Sequence, residues 1–128
     1  MRHLVSVMLL IVAVIHLLPL SGVLGPARLS ALYGITCDEP NIAILMRHRA
    51  VLFGLLGVFL LVAAFRPEFQ VAAFIAGFVS VASFIYLAWS AGPYNAHIAR
   101  VFAADIGALV CLVVGVAGYV YLAFRREG

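Results

Sequence analysis

Four long apolar stretches, separated by short groups of polar and helix-breaking residues, dominate the pattern of the chain. They run over residues 4–24, 43–65, 69–91 and 101–124. Each is close to the roughly 20 residues that a helix needs to cross a hydrocarbon layer of about 30 Å. The breakers that end them are Gly25 with Pro26, Pro67 beside Arg66 and Glu68, and Gly92 with Pro93. The pattern predicts an all-α integral membrane protein, a four-helix bundle that runs up-down-up-down.

Composition supports this class. Of 128 residues, 66% are apolar and 10% are charged, and the mean hydropathy is +1.20. Soluble domains contain only about 45–50% apolar residues, and a soluble fold of this length could not bury so much apolar surface. We therefore expect one transmembrane domain over residues 1–128. The pI near 9.2 comes from a few scattered arginines, so no nucleic-acid partner is expected.

The first apolar stretch also resembles a signal peptide, because Met1, Arg2 and His3 precede it. No small-x-small cleavage triplet follows closely, so we expect a retained helix that Pro19 kinks. The arginines divide evenly between the two predicted faces, and the positive-inside rule gives a tie. The free arginines of the tails favour cytoplasmic termini, in a bacterial inner membrane.

Arg47, His48 and Arg49 stand directly before sixteen uncharged residues that end at Phe65. Sixteen residues span about 24 Å, so this group must lie at or just inside the membrane edge. The helix is expected to begin earlier, with Asp38 as its N-cap. At 100° per residue Arg47 shares a face with Ala50, Gly54 and Gly57, which predicts that Arg47 faces the bundle. His48 and Arg49 diverge from that direction, so at least one of the three should extend towards the headgroups.

The predicted topology brings polar side chains from several helix ends to one membrane face. Ionisable groups within a span are candidate functional residues, because they are costly unless paired or hydrated. Asp105 is the only carboxylate within a span, and its expected partner is Arg47, with Arg100 as the other choice. The candidate binding cluster comprises His16, Arg47, His48, Tyr86, Trp89, Asn95, His97, Arg100 and Asp105.

Three interpretations of this cluster stay open. It can be structural, with His16 donating to a carbonyl freed by Pro19, or a ligand pocket, or a haem or metal site. No i,i+4 pair of histidines occurs, so no metal site is predicted, and the cofactor is unknown with haem left open. Tyr86 and Trp89 are more typical of an interfacial aromatic belt than of the walls of a pocket.

The fourth stretch carries two opposed faces. Gly107, Cys111, Gly115 and Gly118 share one face, and Asp105 lies nearly opposite. Either the small residues or Asp105 should lie at the bundle centre. We expect Asp105 inside, since a carboxylate in lipid has no compensation. The small-residue faces are expected to be close contacts with a neighbouring helix or a second protomer.

Nucleotide-binding, hydrolase, zinc-protease and C-x-x-C motifs are absent from the sequence. The segments "SGVLGPARLSALYGI" and "ILMRHRAVLFGLLG" resemble short bacterial four-span proteins of unknown function, of the DoxX-like and DUF4345-type families. The resemblance implies an accessory role around quinone or thiol redox chemistry, but no matching catalytic residues are present to carry over. The hypothesis is an accessory or small-ligand-binding membrane protein with a polar pocket at one membrane face. The alternatives are a membrane enzyme of isomerase or redox type, in which Asp105 and His16 or His48 exchange protons, and a small transporter. Expected partners are the lipid bilayer and either a second copy or another membrane subunit.

Overall fold

The structure, a computed structural model, describes residues 2–19, 25–34 and 39–127, and all of its described elements are helical. They are α1 (Arg2–Leu17), α2 (Pro26–Tyr33), α3 (Pro40–Phe65), α4 (Gln70–Ala91) and α5 (Ala96–Glu127), with a 3-10 turn at Pro67–Phe69. The all-α prediction is confirmed for these residues. Within the described part of the chain, three helices are long and apolar enough to cross a membrane, namely Pro40–Phe65, Pro67–Ala91 and Ala96–Arg125, whereas α1 is apolar but shorter.

The four longer helices pack in a ring, in which α1 and α4 each contact both α3 and α5. Neighbours run antiparallel: near the start of α1 the Ser6 hydroxyl donates to the Ala64 carbonyl, near the end of α3, at 2.6 Å. The largest fully buried side chains form the shared core and come from α1, α3, α4 and α5. They are Val5, Leu9, Val12, Leu60, Val81 and Leu112.

The first helix is shorter than predicted. It ends at Leu17 after 16 residues, about 24 Å, and residues 20–24 of the predicted span lie outside the described residues. The α-helix stops before Pro19, and the kink there stays a prediction, because the residues directly after Pro19 lie outside the described part of the chain. Proline disfavours helical backbone at the residue before it, which here is Leu18, and it supplies no N–H of its own.

The short helix α2 was not predicted from the sequence. Pro26 stands at its first position and Gly34 follows its end with a left-handed backbone (φ 66°), donating its N–H to the Ser30 carbonyl at 2.8 Å. Proline at the start and glycine just past the end are common helix boundaries. Both residues are visible in the sequence, where Gly25 and Pro26 indicate first the end of the preceding apolar stretch.

The N-cap of α3 is Glu39, so the prediction of Asp38 is wrong; Asp38 itself lies outside the described residues. Pro40 occupies the first helical position, which moves the cap to the residue directly before it. The Glu39 carboxylate accepts from the backbone N–H of Ile42 at 3.0 Å and from the Asn41 amide at 3.0 Å. Hydrogen bonds to the backbone of Asn41 and Ile42 lower the pKa of the Glu39 carboxyl.

In α5 the buried residues include Asp105, Ala108, Leu112 and Gly115. Asp105 is 9% exposed, so the prediction that it points inward is confirmed. The two faces were not true alternatives, however, because Gly115 also lies inside, against Phe74. Steps of three, four and three residues keep all four positions on one inward stripe.

Candidate functional site

A cavity of about 310 Å³ lies between α1, α2, α3 and α5, at the end of the bundle that carries α2. We call it the Asp105 cavity. Its walls are mostly apolar, with a few polar groups that converge on one space, which is the usual make-up of a small-molecule site. The lining residues are Ile15, His16, Leu18, Pro19, Ala31, Leu32, Tyr33, Arg49, Phe53, His97, Arg100, Val101, Ala104 and Asp105.

The carboxylate of Asp105 has an unusual environment. Among the described residues no donor makes a hydrogen bond to it, and Arg49 is the cation that interacts with it electrostatically. The structure describes no ion pair within 4.0 Å that involves Asp105. Each described side-chain nitrogen or oxygen that is completely inaccessible to solvent has a hydrogen-bond partner. The Asp105 oxygens have none among the described residues, so they must be accessible from the cavity that Asp105 lines. A largely buried carboxylate is thus left open to an occupant of this space.

Arg49 is held among aromatic rings. Its Nη1 donates to the Tyr33 hydroxyl at 2.6 Å. The guanidinium carbon lies 4.4 Å from the ring centre of Phe53, 5.2 Å from that of Tyr33 and 6.0 Å from that of Phe84. Cation–π contacts of this kind stabilise a guanidinium with little water around it. Arg49 is therefore fixed as a positive wall of the Asp105 cavity.

The prediction that Arg47 faces the bundle and pairs with Asp105 is wrong. Arg47 is exposed and does not line the cavity, whereas Arg49 is half-buried and does. The predicted inward face of α3 is centred on the small residues Ala50, Gly54 and Gly57. The buried and half-buried side chains Met46, Phe53 and Leu60 shift the centre of this face by roughly 40° towards Arg49.

His16 uses both of its ring nitrogens. Nδ1 lies 2.9 Å from the Val12 carbonyl oxygen and must donate to it, so the neutral ring leaves Nε2 to accept from the Ser80 hydroxyl, also at 2.9 Å. The acceptor of Nδ1 is therefore within α1 and is not a carbonyl freed by Pro19. The bond to Ser80 joins the two diagonal helices α1 and α4. His16 is 2% exposed, and this pairing satisfies it inside the bundle.

The other predicted site residues fall into three groups. His97 and Arg100, on the first turns of α5, line the Asp105 cavity. Asn95 does not line it but positions its walls: its side-chain oxygen accepts from the Ile98 N–H at 2.8 Å, and its amide donates to the Tyr33 carbonyl at 2.8 Å. Asn95 thereby caps α5 and ties α2 to it.

The third group points away from the cavity. His48 is exposed and does not line it, so the structure does not bring it to His16. Tyr86 and Trp89 are 64% and 75% exposed on the outer surface of α4. That position is the one an interfacial aromatic belt would need, and neither residue is a wall of the cavity.

Sequence reasoning missed three residues that shape the site: Tyr33, Arg49 as a wall, and Phe53. The sequence signal for Arg49 was the helical spacing of the large apolar residues Met46, Phe53 and Leu60 on the same side of α3. The small residues on the adjacent stripe drew the predicted face away from it. Tyr33 had no such signal, because its position depends on α2 and on the bond from Asn95.

A second cavity, of about 400 Å³, was also missed at the opposite end of the bundle. Its polar lining residues are Arg2, His3, Ser6 and Gln70. Gln70 is buried and its amide donates to the Ala63 carbonyl at 3.1 Å, while Ser6 bonds to Ala64. The hydrogen bonds of Gln70 and Ser6 thus serve helix contacts, and the charged residues here belong to the start of α1.

The described residues contain no group of three or more His, Cys, Asp or Glu side chains that could hold a metal ion. No protein-family model, curated protein or solved structure matches this chain. The function must therefore be argued from the cavity and its residues.

Proposed function

We propose that this chain is a four-span integral membrane protein that binds a small amphiphilic molecule in the Asp105 cavity. In this proposal α1 serves as the first of the four spans, the membrane is the bacterial inner membrane, and both termini are cytoplasmic. The observation that carries the proposal is the Asp105 carboxylate, largely buried yet open to a cavity and without a hydrogen-bond donor among the described residues.

The chemistry of the walls describes the occupant. Asp105 requires a hydrogen-bond donor or a cation, because an ionised carboxylate away from bulk water is costly without one. Arg49 and Arg100 offer donors to an acceptor or an anion in the same space. The aliphatic and aromatic remainder of the lining favours an apolar body. An amphiphile with a polar end therefore suits the cavity.

Binding is preferred over acid–base catalysis because of His16. A proton exchange between Asp105 and His16 needs a free ring nitrogen, and both nitrogens of His16 are engaged by Val12 and Ser80. The same pairing argues against His16 as a haem ligand. An accessory role beside a second copy or another membrane subunit, as the DoxX-like resemblance implies, is compatible with a ligand-binding cavity and forms part of this proposal.

The test is native mass spectrometry of the protein purified from membranes in a mild detergent. We expect a bound molecule of defined mass on the wild-type chain. Ala104→Leu, which places a larger side chain in the cavity wall, should lose it. Ala103→Leu is the matched control, because Ala103 is the neighbouring residue and is exposed outside the cavity. Asp105→Asn, which keeps the shape but removes the charge, should also lose it. Equal retention by all variants would overturn the proposal.

A further inference from the structure

A third cavity adjoins the Asp105 cavity and shares two of its residues, Tyr33 and Arg49. This Phe84 cavity has a volume of about 360 Å³ and lies between α3, the end of α4 and the start of α5. Its remaining walls are almost entirely apolar and comprise Met46, Phe84, Leu87, Ala88, Ala91, Gly92, Pro93, Tyr94 and Ile98. The cavity with the charged groups and the cavity with few polar groups thus lie on either side of Tyr33 and Arg49.

Arg49 stands at the junction of the two cavities. Phe53 lines only the Asp105 cavity and Phe84 lines only the Phe84 cavity, and the guanidinium lies within 4.4 Å and 6.0 Å of their ring centres. The bond from Arg49 to the Tyr33 hydroxyl holds both shared residues at this boundary. A ligand that occupied both cavities would have its polar part beside Arg49 and its apolar part beyond it.

The Phe84 cavity reaches the outer surface of the helices through apolar side chains. Leu87 is 62% exposed and Tyr94 is 44% exposed. In the proposed membrane this surface lies at the level of Tyr86 and Trp89, where the acyl chains meet the headgroups. On the other side, Asn95 fixes the end of α2 beside the Asp105 cavity through bonds to the Tyr33 and Gly34 carbonyls, at 2.8 and 3.3 Å. Access from the lipid, along the Phe84 cavity, is therefore the favoured route.

We infer that the ligand is a zwitterionic amphiphile with a single hydrocarbon tail, whose tail occupies the Phe84 cavity and whose head occupies the Asp105 cavity. Its ammonium group binds Asp105 and its anionic group binds Arg49 and Arg100. A head of one sign would contact only the carboxylate or only the guanidinium groups, whereas a zwitterionic head contacts both. This inference rests on the proposed function and adds to it the class of ligand, the position of its tail and the role of Arg49.

The experiment uses lysophosphatidylethanolamine with a photoreactive diazirine at the end of its acyl chain, bound to the full chain in phosphatidylcholine nanodiscs. We expect cross-links to Phe84 and Leu87, mapped by peptide mass spectrometry, that unlabelled lysophosphatidylethanolamine competes away. Asp105→Asn should lower their yield roughly tenfold to a hundredfold, as for the loss of a charge-assisted hydrogen bond. Ala88→Phe should block the tail, whereas Ala82→Phe, an exposed position on α4 outside the cavity, should not.

The outcomes separate this inference from the proposed function. Cross-links that stay saturable and depend on Asp105, but map elsewhere, would overturn the tail position and leave ligand binding in place. Cross-links that are spread over the exposed surface and unaffected by Asp105→Asn would overturn the inference for this ligand class. Whether the protein binds any ligand in the Asp105 cavity is tested separately by native mass spectrometry. If Ala88→Phe does not fold, Met46→Phe blocks the same cavity from α3 and provides the same test.

Discussion

Gly115 provides the sharpest test of how closely the helices pack. A Cβ atom added there would lie 2.9 Å from Cε1 and 3.1 Å from Cζ of Phe74, and 3.3 Å from the Cβ of Met8. The Phe74 ring cannot easily move aside, because it is 5% exposed and packs edge-on against Tyr119 at 6.2 Å. Gly115→Ala should therefore force a shift between α5, α4 and α1.

The magnitude follows from two opposed effects. Overpacking of a well-packed core costs about 1–3 kcal/mol. Replacing a helical glycine by alanine recovers about 0.5–1 kcal/mol of backbone entropy. The net result for Gly115→Ala should be a loss of up to about 2 kcal/mol in the free energy of unfolding. Gly115→Leu should cost more and loosen the bundle or change its assembly.

Gly107→Ala is the matched control on the same helix, because a Cβ there would meet nothing within 4 Å. This variant should gain about 0.5–1 kcal/mol, so the two alanine variants should shift stability in opposite directions. Denaturant titration of the purified protein in mixed micelles measures both. Equal stability of the two variants, or a gain in both, would refute the assigned contact between Gly115 and Phe74.

Ser80→Ala should cost about 1–2 kcal/mol, since it leaves the buried Nε2 of His16 without a donor, while Ser83→Ala, whose hydroxyl bonds only within α4, should cost almost nothing. Unfolding of the two variants in parallel checks this, and equal losses would contradict the link between α1 and α4. Labelling of Cys37 in sealed vesicles, with Cys111 replaced, should occur on the side opposite a C-terminal tag. Labelling from the same side would contradict the four-span proposal. The lowered pKa of Glu39 means that its cap stabilises α3 fully above the ordinary value of 4.5 and loses this effect as pH falls through the lowered value. Helicity followed by circular dichroism should therefore fall less on acidification in Glu39→Ala than in wild type, and an unchanged acid profile would argue against the cap.

Residue pattern alone predicted the helices well where the reason was local. The predicted stretches 43–65, 69–91 and 101–124 correspond to α3, α4 and α5, because apolar length and proline or glycine breakers act within one segment. The inward position of Asp105 was also predictable, since a charge has strong reasons to avoid lipid. The proximity of His97, Arg100 and Asp105 followed from their positions within the first three turns of α5.

The tertiary structure alone decided which cation meets Asp105 and which residues close the cavity. Arg47 and Arg49 are identical side chains two positions apart on α3. A difference of roughly 40° in the direction of the inward face of α3 decides which of them lines the cavity. That direction is fixed by the packing of Met46, Phe53 and Leu60 against the other helices, which no local pattern contains. Tyr33 meets Arg49 through contacts between distant segments, among them the bond to its carbonyl from Asn95, 62 residues later in the chain. Helix formation depends on neighbours in sequence, whereas the site depends on contacts between distant segments.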